Sequence, residues 1–186
     1  MTSAAGMLSS EGRCKTLDES ADGYVRAEEI AVIGLCARGR RPQKTLAVIA
    51  GAAVNQDGRS SSLTAPNGPA QQAVIRSSLA RGNIKAESIA ALGMHGTGTP
   101  LGDPIEIGGM SAVLRPTSRG QGSRPDPEAS AGSSSNAPLV LSASKARMGH
   151  GETAAGIVSV SMRGRVRQRS IRIAMYTCVP RSSAPY

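Results

Sequence analysis

At 186 residues the chain is long enough for one domain with a core, yet it has no Phe, no Trp and only three Tyr, so that core must be small and built from Ala, Val, Ile, Leu and Met. The net charge of +9 is unevenly placed: Arg163, Arg165, Arg167, Arg169, Arg172 and Arg181 follow Met162 with no acid among them, and without them the rest carries +3, while Tyr176 and Tyr186 are too few stacking residues for a nucleic-acid binder. Three scattered cysteines, Cys14, Cys36 and Cys178, with only two histidines beside them, speak against a disulfide framework and a zinc site, and the lack of a long apolar run or a basic-then-apolar leader predicts a soluble, cytoplasmic chain with no membrane partner.

In chain order, VRAEEIAVIGL (25–35) reads as a strand and ARGRRPQK as a basic turn. TLAVIAGAAV (45–54) is a buried strand, and NQDGRSSSLTAPNGP is a long loop by its Asn, Asp, Gly, Ser and Pro. Pro69 opens a helix with Ala73, Val74, Leu79 and Ala80 available for its apolar face. Ser88 to Met94 is the next strand, and it carries His95 to the end of a sheet. A helix then starts near Pro104, with Asp103 as its N-cap and Ile105, Gly108 and Leu114 following.

Residues 115–137, rich in Pro, Ser, Gly and Arg, have the composition of a disordered insertion. PLVLSAS (138–144) is a strand, KARMGHGE a loop, and TAAGIVSV a small-residue helix. Residues 115–137 and 163–186 are expected to be mobile, and the histidine loops ordered. After Met162 an Arg at every second position allows a basic strand or a polyanion-binding tail, although a shifted reading frame or exon boundary is the plainer account.

Twice, then, a strand ends at a histidine beside a glycine, and a helix follows. Ligands of open α/β sheets sit beyond the carboxyl ends of strands, so His95 and His150 are candidates for one shared site. Gly96-Thr97-Gly98 resembles the start of a dinucleotide loop, but Leu101 stands where the third glycine belongs, and no phosphate-loop motif occurs.

Four stretches, GRCKTLDESADGYVRAEE (12–29), AVNQDGRSSSLTAPNGPAQQAVIRSSL (53–79), MHGTGTPLGDPIE (94–106) and SKARMGHGETAAG (144–156), resemble successive motifs of β-ketoacyl synthase domains, in wording closer to polyketide synthases than to fatty acid enzymes. The resemblance implies an α/β, thiolase-like fold, present incompletely and mostly as its C-terminal half. Residues 1–40 would end the N-terminal half, 41–162 form the C-terminal half with the insertion at 115–137, and 163–186 form a basic tail outside the pattern.

The family's activity is decarboxylative Claisen condensation of an acyl thioester with malonyl-acyl carrier protein, in polyketide or fatty acid biosynthesis. The resemblance places His95 and His150 as hydrogen-bond donors to the developing negative charge, Lys145 as their support, and Thr97 and Thr99 as hydroxyls holding the pantetheine arm. No cofactor of the chain's own is implied; the phosphopantetheine arm of the acyl carrier protein brings the substrate, and a homodimer is expected of the full-length protein. The family's nucleophilic cysteine belongs to a motif upstream of Gly12, and neither Cys14 nor Cys36 has its context, so the chain alone is expected to be inactive. The alternative is a non-catalytic carrier-protein-binding or dimerisation module. Ala146-Arg147-Met148 departs from the Ser-Asn-Ile of the pattern, and the added cation is expected near His150, where it would lower that ring's pKa.

Overall fold

The computed structural model describes residues 6–37, 46–58, 65–116, 138–163 and 171–179. The apolar run after Leu46 becomes strand β1 (Ala47–Gln56), which alternates between an open face and one turned to helix α1 (Gly68–Gly82). Gly51 lets the two elements meet, because a Cβ there would lie 2.7 Å from the Gly82 nitrogen. Helix α1 opens beside Pro69 as expected. Asn67 caps it, its side-chain oxygen accepting from the Ala70 N–H at 3.1 Å, and Asn83 closes it in the left-handed region at φ 48°. Its buried stripe is Val74, Ile75, Ser78 and Leu79, whereas Ala73 and Ala80 are exposed. The two alanines follow the composition of the helix but not its contact face.

A short 3-10 turn, Ala86–Ser88, takes the start of the expected 88–94 strand, so that β2 is only Ala91–Gly93. Helix α2 (Gly102–Leu114) follows. Strand β3 (Val140–Ser142) runs parallel to β2 with Ala91 opposite Val140 and Gly93 opposite Ser142, and the Met94 N–H extends the ladder to the Ser142 carbonyl at 2.8 Å. Helix α3 (Lys145–Met148) is a single turn within the stretch expected to be all loop, and α4 (Ala155–Arg163) is the small-residue helix, entered through a 3-10 turn at Glu152–Ala154.

The core is aliphatic: Ile75 and Leu79 of α1 meet Met110, Val113 and Leu114 of α2, with Met94 wedged among them at the end of β2. Met94 is 3% exposed and directly precedes His95, so the packing that orders the core also fixes where the histidine loop leaves the sheet. Arg115, assigned from composition to the disordered insertion, instead closes the end of α2. Its guanidinium donates to the carbonyls of Leu114 at 2.7 Å and Ile89 at 3.0 Å. The insertion from residue 117 to 137 lies outside the described residues.

Two other expectations are corrected. Residues 25–35 are not a ladder strand: only isolated bridges at Tyr24 and Arg26 form, and Ile30 and Val32 beyond them are 92% and 90% exposed. A β-prone sequence becomes a strand only where a partner supplies the other half of the hydrogen bonds. The segment Ile171–Val179, expected to be mobile, is strand β4 and pairs in parallel along β1, Ala47 opposite Ile171 through Gln56 opposite Val179. Its Ile-Arg-Ile-Ala-Met-Tyr-Thr-Cys-Val sequence is rich in β-formers and holds one arginine, so β-propensity and not alternating charge accounts for this strand. Residues 164–170 and 180–186 lie outside the description. Among the described residues no helix is long and apolar enough to cross a membrane.

Candidate active site

Because β2 and β3 are neighbouring parallel strands, the loops that follow them leave the same edge side by side. The first delivers His95 two residues after β2. The second turns once through α3 and returns at Gly149, at φ 80°, to present His150. The rings of His95 and His150 meet edge to face, centroids 5.2 Å apart and planes at 89°. The two candidates separated by 55 positions in sequence therefore share one site.

Each loop is held by groups outside itself. Residues 24–27 clamp the second loop from behind: the His150 N–H donates to the Val25 carbonyl at 2.8 Å and the Ala27 N–H to the His150 carbonyl at 3.1 Å. The Tyr24 ring, 7% exposed, stands 5.2 Å from the His150 ring at 69°. The first loop is gripped by two acids of α2, Asp103 and Glu106, three residues apart on one helical face. Glu106 accepts from the N–H groups of His95 at 2.6 Å and Gly96 at 2.9 Å, and Asp103 accepts from those of Gly98 at 3.2 Å and Leu17 at 2.9 Å. Gly98, at φ 76°, must be glycine, since a Cβ there would lie 2.5 Å from the Lys15 nitrogen.

Lys145, 3% exposed, donates from Nζ to the His95 carbonyl at 2.8 Å. It thus supports the first histidine through its backbone. Burial lowers its pKa, against the carboxylates of Glu106 and Glu29 that favour the charged form. Thr97 is buried, and its hydroxyl lies 3.4 Å from that of Thr99. Thr99 also accepts from the Gly102 N–H at 3.2 Å, which is the helix-start role expected of Asp103. Asp103 does not cap α2. It lies inside the first turn and faces the loop instead.

The electrostatics keep both rings neutral. Burial of the ring among its neighbours, then the Lys145 ammonium, then His150 lower the pKa of His95 to about 3, although the residue is exposed by its accessible surface. For His150, burial first and Lys145 second lower the pKa, while Glu152 opposes them. Arg147 is not among the causes of that shift, so the depression expected from it is found but arises elsewhere. The Glu152 N–H donates to His150 Nδ1 at 3.1 Å, which makes Nδ1 the acceptor and leaves the proton of the neutral ring on Nε2. His150 is therefore set as a neutral donor.

Sequence reasoning named both histidines, Lys145 and the two threonines but missed Tyr24 and Glu106. A signal for Glu106 was present: two carboxylates at i and i+3 on the first turns of a helix that follows a glycine-rich loop can reach back to the loop amides. Replacing Glu106 by Ala is expected to cost about 2–4 kcal/mol in stability, because one buried and one partly buried N–H group lose their acceptor. Urea unfolding of Glu106→Ala beside Glu106→Gln measures it, and the amide, which keeps one acceptor, should recover a substantial part of the loss. Equal stability of Glu106→Ala and the parent would contradict this placement.

The model of the β-ketoacyl synthase C-terminal domain matches residues 46–163, and that of the N-terminal domain matches residues 1–40. The chain belongs to the β-ketoacyl synthase family. It is 46% identical over 158 residues to a phenolphthiocerol/phthiocerol polyketide synthase of Mycobacterium tuberculosis, a match covering 83% of this chain and 6% of that protein. Erythronolide synthase EryA3 of Saccharopolyspora erythraea is 40% identical, over 83% of this chain and 4% of its own length.

Among solved structures, the oxazolomycin ketosynthase domain OzmH KS7 of Streptomyces albus matches with a TM-score of 0.70 at 28% identity, over 88% of this chain and 26% of that one. The ketosynthase from module 6 of the bacillaene synthase of Bacillus subtilis 168 matches with a TM-score of 0.68 at 29% identity, over 88% and 27%. The fold is thus thiolase-like α/β, as the motifs implied, and the chain spans about a quarter of these ketosynthase chains and a few per cent of the polyketide synthases.

Proposed function

We propose that the chain is the malonyl-activating part of a polyketide ketosynthase that condenses an acyl thioester with malonyl-acyl carrier protein. The observation that carries this reading is the pair of neutral imidazoles in edge contact, one of them fixed with its proton on Nε2. Loss of carbon dioxide from a malonyl thioester leaves negative charge on the thioester oxygen, and a neutral donor already in place stabilises it without spending reorganisation energy. A cationic ring would bind the malonyl carboxylate and hold it back; the lowered pKa values avoid that. Lys145 fixes the His95 backbone, and Thr97 and Thr99 hold the pantetheine arm of the carrier, so that the carrier protein is the partner and no cofactor of the chain's own takes part.

Cys14 is not the nucleophile in this reading. It is 3% exposed and its Sγ accepts from the Val25 N–H at 3.4 Å. The acyl group is carried by a cysteine of the complete ketosynthase, as a homodimer of the family's type, and the 186-residue chain alone forms no β-ketoacyl product. The test is a complete ketosynthase domain carrying residues 6–163, supplied with an acyl thioester and malonyl-acyl carrier protein. Carbon dioxide release matched by β-ketoacyl product is expected; release of neither, in a folded domain that loads its acyl group, overturns the reading. A carrier-binding or dimerisation module would give that negative result while still binding the carrier protein.

A further inference from the structure

Arg147, the cation that replaces the asparagine of the family pattern, plays no part in tuning His150, and among the described residues no ion pair holds it. It lines a cleft of about 350 Å³ beside the α3 turn, together with Arg13, Cys14, Arg26, Lys145 and Met148. Neither histidine lines this cleft, although Val25, Lys145 and Gly149 of its lining also support the histidine site. Three arginines and Lys145 are among the lining residues, none of which is acidic, and the Lys145 ammonium itself is turned to the His95 carbonyl. Arg26 is steadied by Glu152 at 3.3 Å, an exposed pair, whereas Arg13 and Arg147 have no carboxylate within ion-pair distance among the described residues.

Like charges are not gathered in one concavity without a cost, and surface arginines usually find acids or spread apart. Guanidinium groups are planar forks that match phosphate oxygens two at a time, and they keep their charge at every physiological pH. The volume lies at the small end of ligand pockets, which favours a compact anion over a drug-sized molecule. We propose that the cleft between residues 12–14, 25–26 and 145–149 is a binding site for a phosphate group, held by Arg13, Arg26 and Arg147. The cleft adjoins the histidine site through Lys145, and its test reads phosphate binding and does not depend on the condensing chemistry.

The test is calorimetric titration of the 186-residue chain with inorganic phosphate, and in a second arm with methyl phosphate, at constant ionic strength. A saturable 1:1 isotherm is expected, weakened about tenfold or more by Arg147→Gln and by Arg13→Gln, both at exposed positions. The charge control is Arg76→Gln with Arg81→Gln, two exposed cations of α1 outside the cleft, which should leave affinity within about twofold. Methyl phosphate binding at least as tightly as inorganic phosphate identifies an esterified ligand; its rejection identifies the free anion. No saturable binding in either arm overturns the proposal. So does an equal loss in the α1 control, which would mean that only the net charge of the chain is being read.

Discussion

In a complete ketosynthase carrying this segment, His95→Ala and His150→Ala should each lower malonyl-carrier decarboxylation and condensation by about a hundredfold or more, the size of losing one oxyanion donor, about 3 kcal/mol of barrier. Loading of the acyl group should survive better, because that step depends on the nucleophile and not on malonyl activation. Lys145→Ala should follow the histidines in the decarboxylation assay, since its ammonium holds the His95 carbonyl at 2.8 Å, while an exposed lysine such as Lys85 should be silent. Acyl loading and carbon dioxide release are measured separately for each variant, with folding checked by circular dichroism. Histidine variants within a few-fold of the parent in both decarboxylation and condensation would remove the two-imidazole site from the mechanism.

What made that site legible was local. Each histidine stands beside a glycine after an apolar run and ahead of a helix, and those signals need nothing from the rest of the chain. Helix α1 was legible for the same reason, through Pro69 and the residues before it. What the sequence concealed depends on partners distant along the chain. Residues 25–35 have strand composition, but their ladder needs a neighbour, and beyond Ala27 none is present among the described residues. β4 was obscured in the opposite way, as alternating arginines drew attention to charge while Ile171, Ile173 and Val179 carried the β-propensity.

The exchange of roles between Asp103 and Thr99 has a physical cause as well. Either residue type caps a helix, and sequence preference alone picks the acid nearest the proline. In the structure the loop from Gly96 to Gly98 offers buried amides that need acceptors more strongly charged than a hydroxyl, so the carboxylates of Asp103 and Glu106 go there. The hydroxyl of Thr99 is left to close the helix start. Capping preference is a property of one position; the competition for acceptors is a property of the fold.

Acid should destabilise this chain through the same two rings. In the unfolded chain each histidine binds a proton near pH 6.5, whereas in the fold His95 takes one only near 3 and His150 below its ordinary value. Between about pH 3 and 6.5 the unfolded state therefore binds more protons, and stability rises with pH across that window and is lost as pH falls through it. Glu106 acts in the opposite sense: burial raises its pKa, so the folded state holds the extra proton above about pH 4.5 and stability from this group falls as pH rises. Burial also lowers the pKa of Lys145, which acts in the same sense as the two histidines. With His95 partly open to solvent, its share is on the order of 2 kcal/mol after discounting for screening. Urea midpoints measured from about pH 4 to 7 should climb for the parent, climb less for His95→Asn, and climb more steeply for Glu106→Gln, where the opposing group is gone. A His95→Asn slope equal to that of the parent would mean that the imidazole is as easily protonated in the fold as outside it, and a cationic His95 would not fit the neutral-donor role proposed for it.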